Sequence, residues 1–319
     1  METKIFIQRS LLCLLLVLGT SAILSAQTVS TPIVGFSKVN VPMGTRAVVP
    51  GFVKSAVYSG SGLVTGQAVA SSGLSPNALK PTQVGTGAPD YPTHYLEITS
   101  GGYEGYSFDV SGNTASSVSV SGLPSALNGA TISYVIRPHL RIGDIDPANL
   151  PDGQVVLNVY NNPNSAATTY LYDAGGNWYD GSGTYLMNHA VIYPGTGISV
   201  NNSASAFQIN FTGVVKTTKT AVPVYSQASV NLVGPMNPST SSNLTQWASP
   251  LPDQTVANVL SASGDNNVSL TLLTDTGSTT LYDGGGNPLS SVAIEGQNAF
   301  GMSAMTSDGY VIFNSPLNP

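Results

Sequence analysis

Gln154-Val155-Val156-Leu157-Asn158-Val159-Tyr160 is the stretch whose reading decides the fold class. Val155, Leu157 and Val159 recur at every second position, the period of a strand with one buried face, and β-branched residues dominate the run. No amphipathic helical spacing fits it. The same kind of run returns on both sides, at Tyr95-Leu96-Glu97-Ile98-Thr99, Ser117-Val118-Ser119-Val120-Ser121, Ile132-Ser133-Tyr134-Val135-Ile136, Phe207-Gln208-Ile209-Asn210-Phe211, Val268 to Leu273 and Tyr310-Val311-Ile312-Phe313. Gly, Pro, Asn-Gly and Asp-Gly break these runs at short intervals. The pattern predicts an all-β protein of tandem β-sandwich and small-barrel modules. One or two short helical turns, near Ser241 to Trp247, are the most helix it allows.

Two internal echoes set the predicted organisation. Leu171-Tyr172-Asp173-Ala174-Gly175-Gly176-Asn177 returns as Leu281-Tyr282-Asp283-Gly284-Gly285-Gly286-Asn287, and Gly35-Phe36-Ser37-Lys38 returns more faintly as Gly213-Val214-Val215-Lys216. The second pair lies further apart than the first, so the first copy carries extra chain between Lys38 and Leu171. The expected layout is a discontinuous first repeat (27–56 plus 137–212), an inserted small β-barrel module (57–136) and a second repeat (213–319). The insert is expected to fold alone, and the remainder to fold without it.

The N-terminus reads as an export signal. Lys4 and Arg9 precede an apolar run from Leu11 to Leu24, and Ser25-Ala26 then meets polar Gln27-Thr28. This order matches a cleavable signal peptide over residues 1–26, and the apolar run is shorter than the about 20 residues a membrane span needs. The expected location is therefore outside the cytoplasm: extracellular, cell surface or periplasm. Removing Lys4, Arg9 and Glu2 from 10 cations and 16 anions leaves 8 and 15, a net charge of −7. So few cations leave no footprint for nucleic acid or anionic lipid. Cys13, the single cysteine, falls in the leader. The mature chain has no disulfides and no cysteine chemistry, so apolar cores must hold it together, and its length allows them. Charged residues are 8% of the chain while hydrophobic ones are 41%, a balance that favours order over disorder.

Three segments carry a resemblance: Tyr95-Leu96-Glu97-Ile98-Thr99-Ser100-Gly101-Gly102-Tyr103-Glu104-Gly105, the Thr169 to Trp178 hairpin, and Ile192-Tyr193-Pro194-Gly195-Thr196-Gly197. Together the chain resembles a paralogous family of secreted bacterial β-rich proteins without an established activity. The resemblance implies a β fold and export, and no catalytic residue. The second repeat departs from it before Tyr310, where Thr306-Ser307-Asp308-Gly309 replaces Pro194-Gly195-Thr196-Gly197.

The chemistry-bearing residues gather weakly. Tyr172, Asp173, Asn177, Trp178 and Tyr179, with their echoes Tyr282, Asp283 and Asn287, are the candidate ligand contacts. Asp and Asn there could offer oxygens to Ca²⁺, and the aromatic rings could stack on sugars. The spacing of a calcium loop is missing. A hairpin turn, with Asp bonding backbone and Gly at positive φ, explains the loops more simply, and cross-strand aromatic pairing explains the rings. Asp144 with Asp146, and Glu97 with Glu104, are possible carboxylate pairs of the kind glycoside hydrolysis uses, but Pro147 after the first pair suggests a turn. His94, His139 and His189 follow no metal-binding spacing, and no Gly-x-Ser-x-Gly elbow occurs. The expectation is a non-enzymatic structural, adhesive or cell-surface protein without cofactor or metal, with a secreted carbohydrate-binding module as the alternative and a glycoside hydrolase third. The expected partners are a second copy of the chain or extracellular matrix or glycan. Nucleic acid is not expected, and neither is a transmembrane segment in the mature chain.

Overall fold

The computed structural model describes residues 32–83, 90–145, 150–151, 153–161, 167–173, 175–223, 232–234, 236, 270–274, 277–282, 302–305 and 310–313. The expected signal segment 1–26, Ser241 to Trp247, Asp146, Asp283 and Asn287 lie outside these residues. The described chain is all-β, and its only helical elements are two single 3₁₀ turns, Ser125–Leu127 and Ile142–Asp144.

Strands β1 (Val34–Val41) and β2 (Gly44–Val48) open the fold. The next eight are β3 (Tyr58–Thr65), β4 (Ala68–Ala70), β5 (Thr82–Gln83), β6 (Asp90–Tyr91), β7 (His94–Ile98), β8 (Ser107–Asn113), β9 (Ser117–Val120) and β10 (Thr131–Pro138). Six of them close an antiparallel barrel in the order β10-β3-β4-β9-β8-β7, with β7 pairing back onto β10, while β5 and β6 form a small ribbon of their own. Closure removes the sheet edges. The predicted alternation fills the interior: Ile132, Tyr134 and Ile136 of β10, Leu96 and Ile98 of β7, Phe108 and Val110 of β8 and Val118 and Val120 of β9 form one buried cluster. The chain enters and leaves the barrel at one point, where the Val57 amide donates to the Ile136 carbonyl at 2.8 Å.

Beyond the barrel come β11 (Leu140–Arg141), β12 (Val155–Val159), β13 (Thr168–Tyr172), β14 (Trp178–Asp180), β15 (Val191–Ile192), β16 (Ile198–Asn202) and β17 (Phe207–Val214). A five-stranded sheet runs β14-β13-β12-β16-β2, so β2, which precedes the barrel in the chain, pairs with β16, which follows it. A second, two-stranded layer pairs β1 with β17 over the full length of β1. The inner faces of both meet in one core: Leu157, Val159, Tyr170, Tyr172, Trp178 and Val200 against Val41, Phe207, Ile209 and Phe211. This is sandwich packing, with inward and outward residues alternating along each strand.

Of residues 213–319 the structure describes mainly β18 (Thr220–Pro223), β19 (Leu270–Thr274), β20 (Gly277–Tyr282), β21 (Met302–Met305) and β22 (Tyr310–Phe313). The order β18-β22-β21 makes a three-stranded sheet, and β19 pairs with β20. Ala221 of β18 and Ile312 of β22 join the barrel's apolar cluster, and the Tyr310 and Tyr106 rings lie 4.5 Å apart.

Candidate functional site

The strongest concentration of ionisable side chains lies where the outside of the barrel meets the sandwich. On β7, Leu96 and Ile98 point into the barrel, so the pleat sends Tyr95 and Glu97 outward. Both are nevertheless buried, Glu97 completely. Glu97 pairs with Val135 across to β10, which places Arg137 diagonally beside it on the same outer face. Arg137 Nε donates to Glu97 Oε2 at 3.0 Å, and Arg137 Nη1 donates to the Lys54 carbonyl at 3.1 Å. The opposing cation is Lys216, fully buried in the segment after β17, with Nζ 2.8 Å from Glu97 Oε1. Lys216 also donates to Thr218 Oγ1 at 2.7 Å and to the Lys219 carbonyl, and the Thr218 hydroxyl donates to the Glu97 carboxylate.

Burial alone would push the Glu97 carboxyl up. The charges of Lys216 and Arg137, with the hydrogen bonds from Lys216 and Thr218, outweigh it and hold the group below the ordinary glutamate range. For Lys216 the balance differs: burial pulls the ammonium down, the attraction of Glu97 works against this, and the net position stays below an ordinary lysine. Burial, followed by the nearby Glu97 charge, drives the Tyr95 phenol well above its usual range.

A second contact continues this seam. The Tyr193 hydroxyl donates to Asp109 Oδ2 at 2.8 Å, joining the segment after β15 to β8 of the barrel. His139 is buried between the Tyr95 and Tyr193 rings, at centroid distances of 5.0 and 5.2 Å. Its Nε2 is 3.0 Å from Asp109 Oδ1, out of line for a hydrogen bond. Backbones close the rest. Gly105, at φ 93°, lets its carbonyl accept the Ala221 amide at 3.1 Å, and a Cβ there would lie 2.5 Å from the Lys219 carbonyl oxygen. Only glycine meets both conditions. A small cavity in this region, bounded by Phe52, Tyr95, Leu140, Tyr193 and Met236 among others, holds about 10 Å³, the room of a single water.

The predicted ligand contacts fall elsewhere and separate into two groups. Tyr172 and Trp178 form a cross-strand pair with ring centroids 5.1 Å apart, both buried in the sandwich core. Tyr170 joins them there, its phenol pushed up to about 12 by burial and then by Tyr91. Asp173 and Asn177 build the turn. Asp173 Oδ1 accepts the amides of Gly175 at 3.0 Å and Asn177 at 2.9 Å, and Gly176 sits at φ 80°. Asn188 Nδ2 then donates to Asn177 Oδ1 at 3.0 Å. Tyr179 is half-buried on the outer face of the sheet. Tyr282 ends β20, and its loop partners Asp283 and Asn287 lie outside the described residues.

Of the carboxylate candidates, Asp146 lies outside the described residues, and Asp144 and Glu104 bond within the chain. Asp144 caps the 3₁₀ turn through the Arg141 amide at 2.8 Å and pairs with Lys54 at 3.0 Å. Glu104 accepts the Lys219 amide at 3.3 Å, which makes it part of the seam. The three histidines make separate contacts: the His139 amide donates to the Thr93 carbonyl at 3.1 Å, beside His94, whose Nδ1 is 2.7 Å from the Thr93 hydroxyl, and His189 packs edge-on to Tyr91 at 4.2 Å. Among the described residues no group of three metal-binding side chains converges, and no helix is long and apolar enough to cross a membrane.

The seam cluster of Glu97, Arg137, Lys216 and Asp109 was missed as a unit from sequence. The one usable signal is Glu97 itself, a lone acid inside an otherwise apolar strand. Comparison with protein families, with curated proteins and with solved structures finds no match to this chain.

Proposed function

We propose that this is an exported, non-enzymatic structural or adhesive protein, acting in the periplasm, at the cell surface or outside the cell through contacts made by its sheets. One observation carries the reading: among the described residues, most carboxylates bond to groups of the chain itself. Glu97 and Lys216 hold the barrel to the sandwich, Asp144 caps a turn and meets Lys54, Asp109 receives Tyr193, and Asp173 closes a hairpin. A general acid or base has to face a substrate within hydrogen-bond reach, and these groups spend their bonds on stability.

The surface supports contact as the mode of action. Val34 and Phe36 of β1 are 68% and 64% exposed, with Ile33 beside them, and Lys38 is the only charge on that strand. Among the described residues β1 pairs along one edge only, with β17. An apolar, weakly charged edge is a template for another strand, and the occupant this edge suits is a second copy of the chain. The test is light scattering of the mature protein at rising concentration, beside a glycosidase and esterase panel. Association that Phe36→Lys weakens, with no turnover above background, is the expected result. Turnover lost on substituting Asp144, or a strictly monomeric protein, would overturn the reading. Fractionation of the native host tests the location.

A further inference from the structure

The outer face of the five-stranded sheet carries two rows of side chains without a charge. Its residues follow from the register. One row across the strands runs Tyr179, Leu171, Val156, Asn201, Thr45, and the next runs Thr169, Asn158, Ser199, Ala47. Neither row contains a charge. Arg46 and Asp180, the charged residues of these strands, pair with Val200 and Tyr170 and so lie on the opposite side of the pleat. The polar groups are held in fixed orientations. Thr169 Oγ1 donates to Asn158 Oδ1 at 2.8 Å, Asn158 Nδ2 donates to Ser199 Oγ at 3.3 Å, and Thr45 Oγ1 donates to Asn201 Oδ1 at 2.7 Å. Each amide and hydroxyl has more bonding capacity than these contacts use.

The geometry points to this face as a binding platform for an uncharged polysaccharide laid across the strands, an inference that rests on the adhesive reading above and names its ligand class. The strands repeat every ~4.8 Å, so Thr169, Asn158, Asn201 and Thr45 offer a ladder of amide and hydroxyl groups to a chain of sugar hydroxyls, while buried Ser199 braces Asn158 from beneath. Tyr179, at the β14 end of its row, presents an electron-rich ring to the C–H face of a sugar. Other occupants fit less well. The core of a protein partner would need a continuous apolar patch, whereas here Leu171 and Val156 are bordered by Asn158, Asn201 and Thr169. Nucleic acid and anionic lipid need cations, and acidic glycans need them too.

The test is co-sedimentation of the full mature chain with insoluble cellulose, chitin and mannan, with affinity electrophoresis through polygalacturonate as the charged counterpart. Retention by at least one of the three neutral polymers is expected, unchanged between low and molar salt. Tyr179→Ala should lower it by about tenfold, the size of loss a truncated aromatic anchor brings, and Asn158→Ala should also weaken it. Tyr179→Phe should keep most of the binding, and thermal melting confirms that each variant is folded. Should Asn158→Ala fail to fold, the Tyr179 pair decides alone. Retention by none of the three neutral polymers, binding only to polygalacturonate, or binding indifferent to Tyr179→Ala would each overturn the platform. Self-association in light scattering would survive those results if the adhesive reading is right and only its ligand is wrong.

Discussion

The barrel interior and the seam that joins the barrel to the sandwich are built by the same strands and held by opposite means. On β7, Leu96 and Ile98 enter an interior without a charged group, while Tyr95 and Glu97, one residue over, enter a buried contact centred on three charges. The interior gains from every apolar atom it buries, at roughly 25 cal/mol per Å², and tolerates changes of shape. The seam has no such gradation. A buried ion pair contributes little against an apolar replacement of the same volume, yet removing one partner leaves an uncompensated charge. The difference teaches that one strand can be robust on one face and brittle on the other.

The largest effect should come from cutting the seam altogether. The sequence leads to the expectation that the chain without 57–136 still folds, and the seam adds a requirement that the spacing of the echoes does not contain. Excision removes Glu97 together with the barrel face that covers Lys216, Arg137 and the apolar residues packed beside them, so the sandwich loses one of its walls. We expect the excised protein to lose most of its cooperative transition by circular dichroism, and the isolated barrel to melt cooperatively on its own. A bare excision product that melts as cooperatively as the full chain would make the seam unimportant.

Next in size is the single substitution Glu97→Gln, which keeps shape and removes charge. Its expected cost is about 3–5 kcal/mol in urea unfolding, and combining it with Lys216→Met should recover part of that. Leu96→Ala, the neighbour on the other face, should cost roughly 2–5 kcal/mol through lost burial and a cavity, with no recovery from Lys216→Met. If the two faces responded alike to Lys216→Met, the contrast between them would fail.

Acid offers a gentler break of the same pair. Because the Glu97 carboxyl is depressed in the folded protein, its contribution is present above the ordinary glutamate value of about 4.3. It fades as pH falls toward and through the lower folded value. Wild type should lose stability in that acid window, by at most about 1.4 kcal/mol per pH unit for this one proton, and Glu97→Gln should lack that component. A stability difference between the two that stayed constant down to pH 2 would exclude the assignment.

The same contrast explains what could be read from sequence. The barrel interior was legible because Ile132, Tyr134 and Ile136, or Val118 and Val120, alternate within a few residues and need no distant partner. The seam was not, because Glu97 and Lys216 meet across more than a hundred residues, and period-two reasoning assigns both to solvent. Gly213-Val214-Val215-Lys216 was visible only as an echo of Gly35-Phe36-Ser37-Lys38, which says nothing about where its lysine points. Two strand-and-turn segments, Tyr95 to Gly105 and Ile192 to Gly197, supply Glu97, Glu104, Gly105 and Tyr193 to the seam. Their strand-and-turn character was clear, and their role as a clamp was not. Trp178 and Tyr172 showed the reverse ambiguity: an aromatic pair reads equally as a sugar platform or as core, and only the register places both rings inward while leaving Tyr179 outside.

The smallest expected effect belongs to a turn that touches neither face of the comparison. Asp173 accepts two amides within its own loop, so Asp173→Ala should cost only about 1 kcal/mol, the net worth of a typical hydrogen bond. The loss should be local, leaving the seam's acid transition unchanged. Asp173→Asn, which keeps an acceptor oxygen, should cost less. To ligate calcium through both oxygens, Asp173 would have to turn Oδ1 from these amides, and the hairpin would lose its closing bonds, so millimolar calcium should barely move the melting temperature, since ligand stabilisation grows only as RT ln(1 + [L]/Kd). A calcium-dependent rise of several degrees that disappears in Asp173→Ala would make the loop an ion site. Asp173 would then belong with Glu97, among the few charges in this chain whose removal leaves something unpaired.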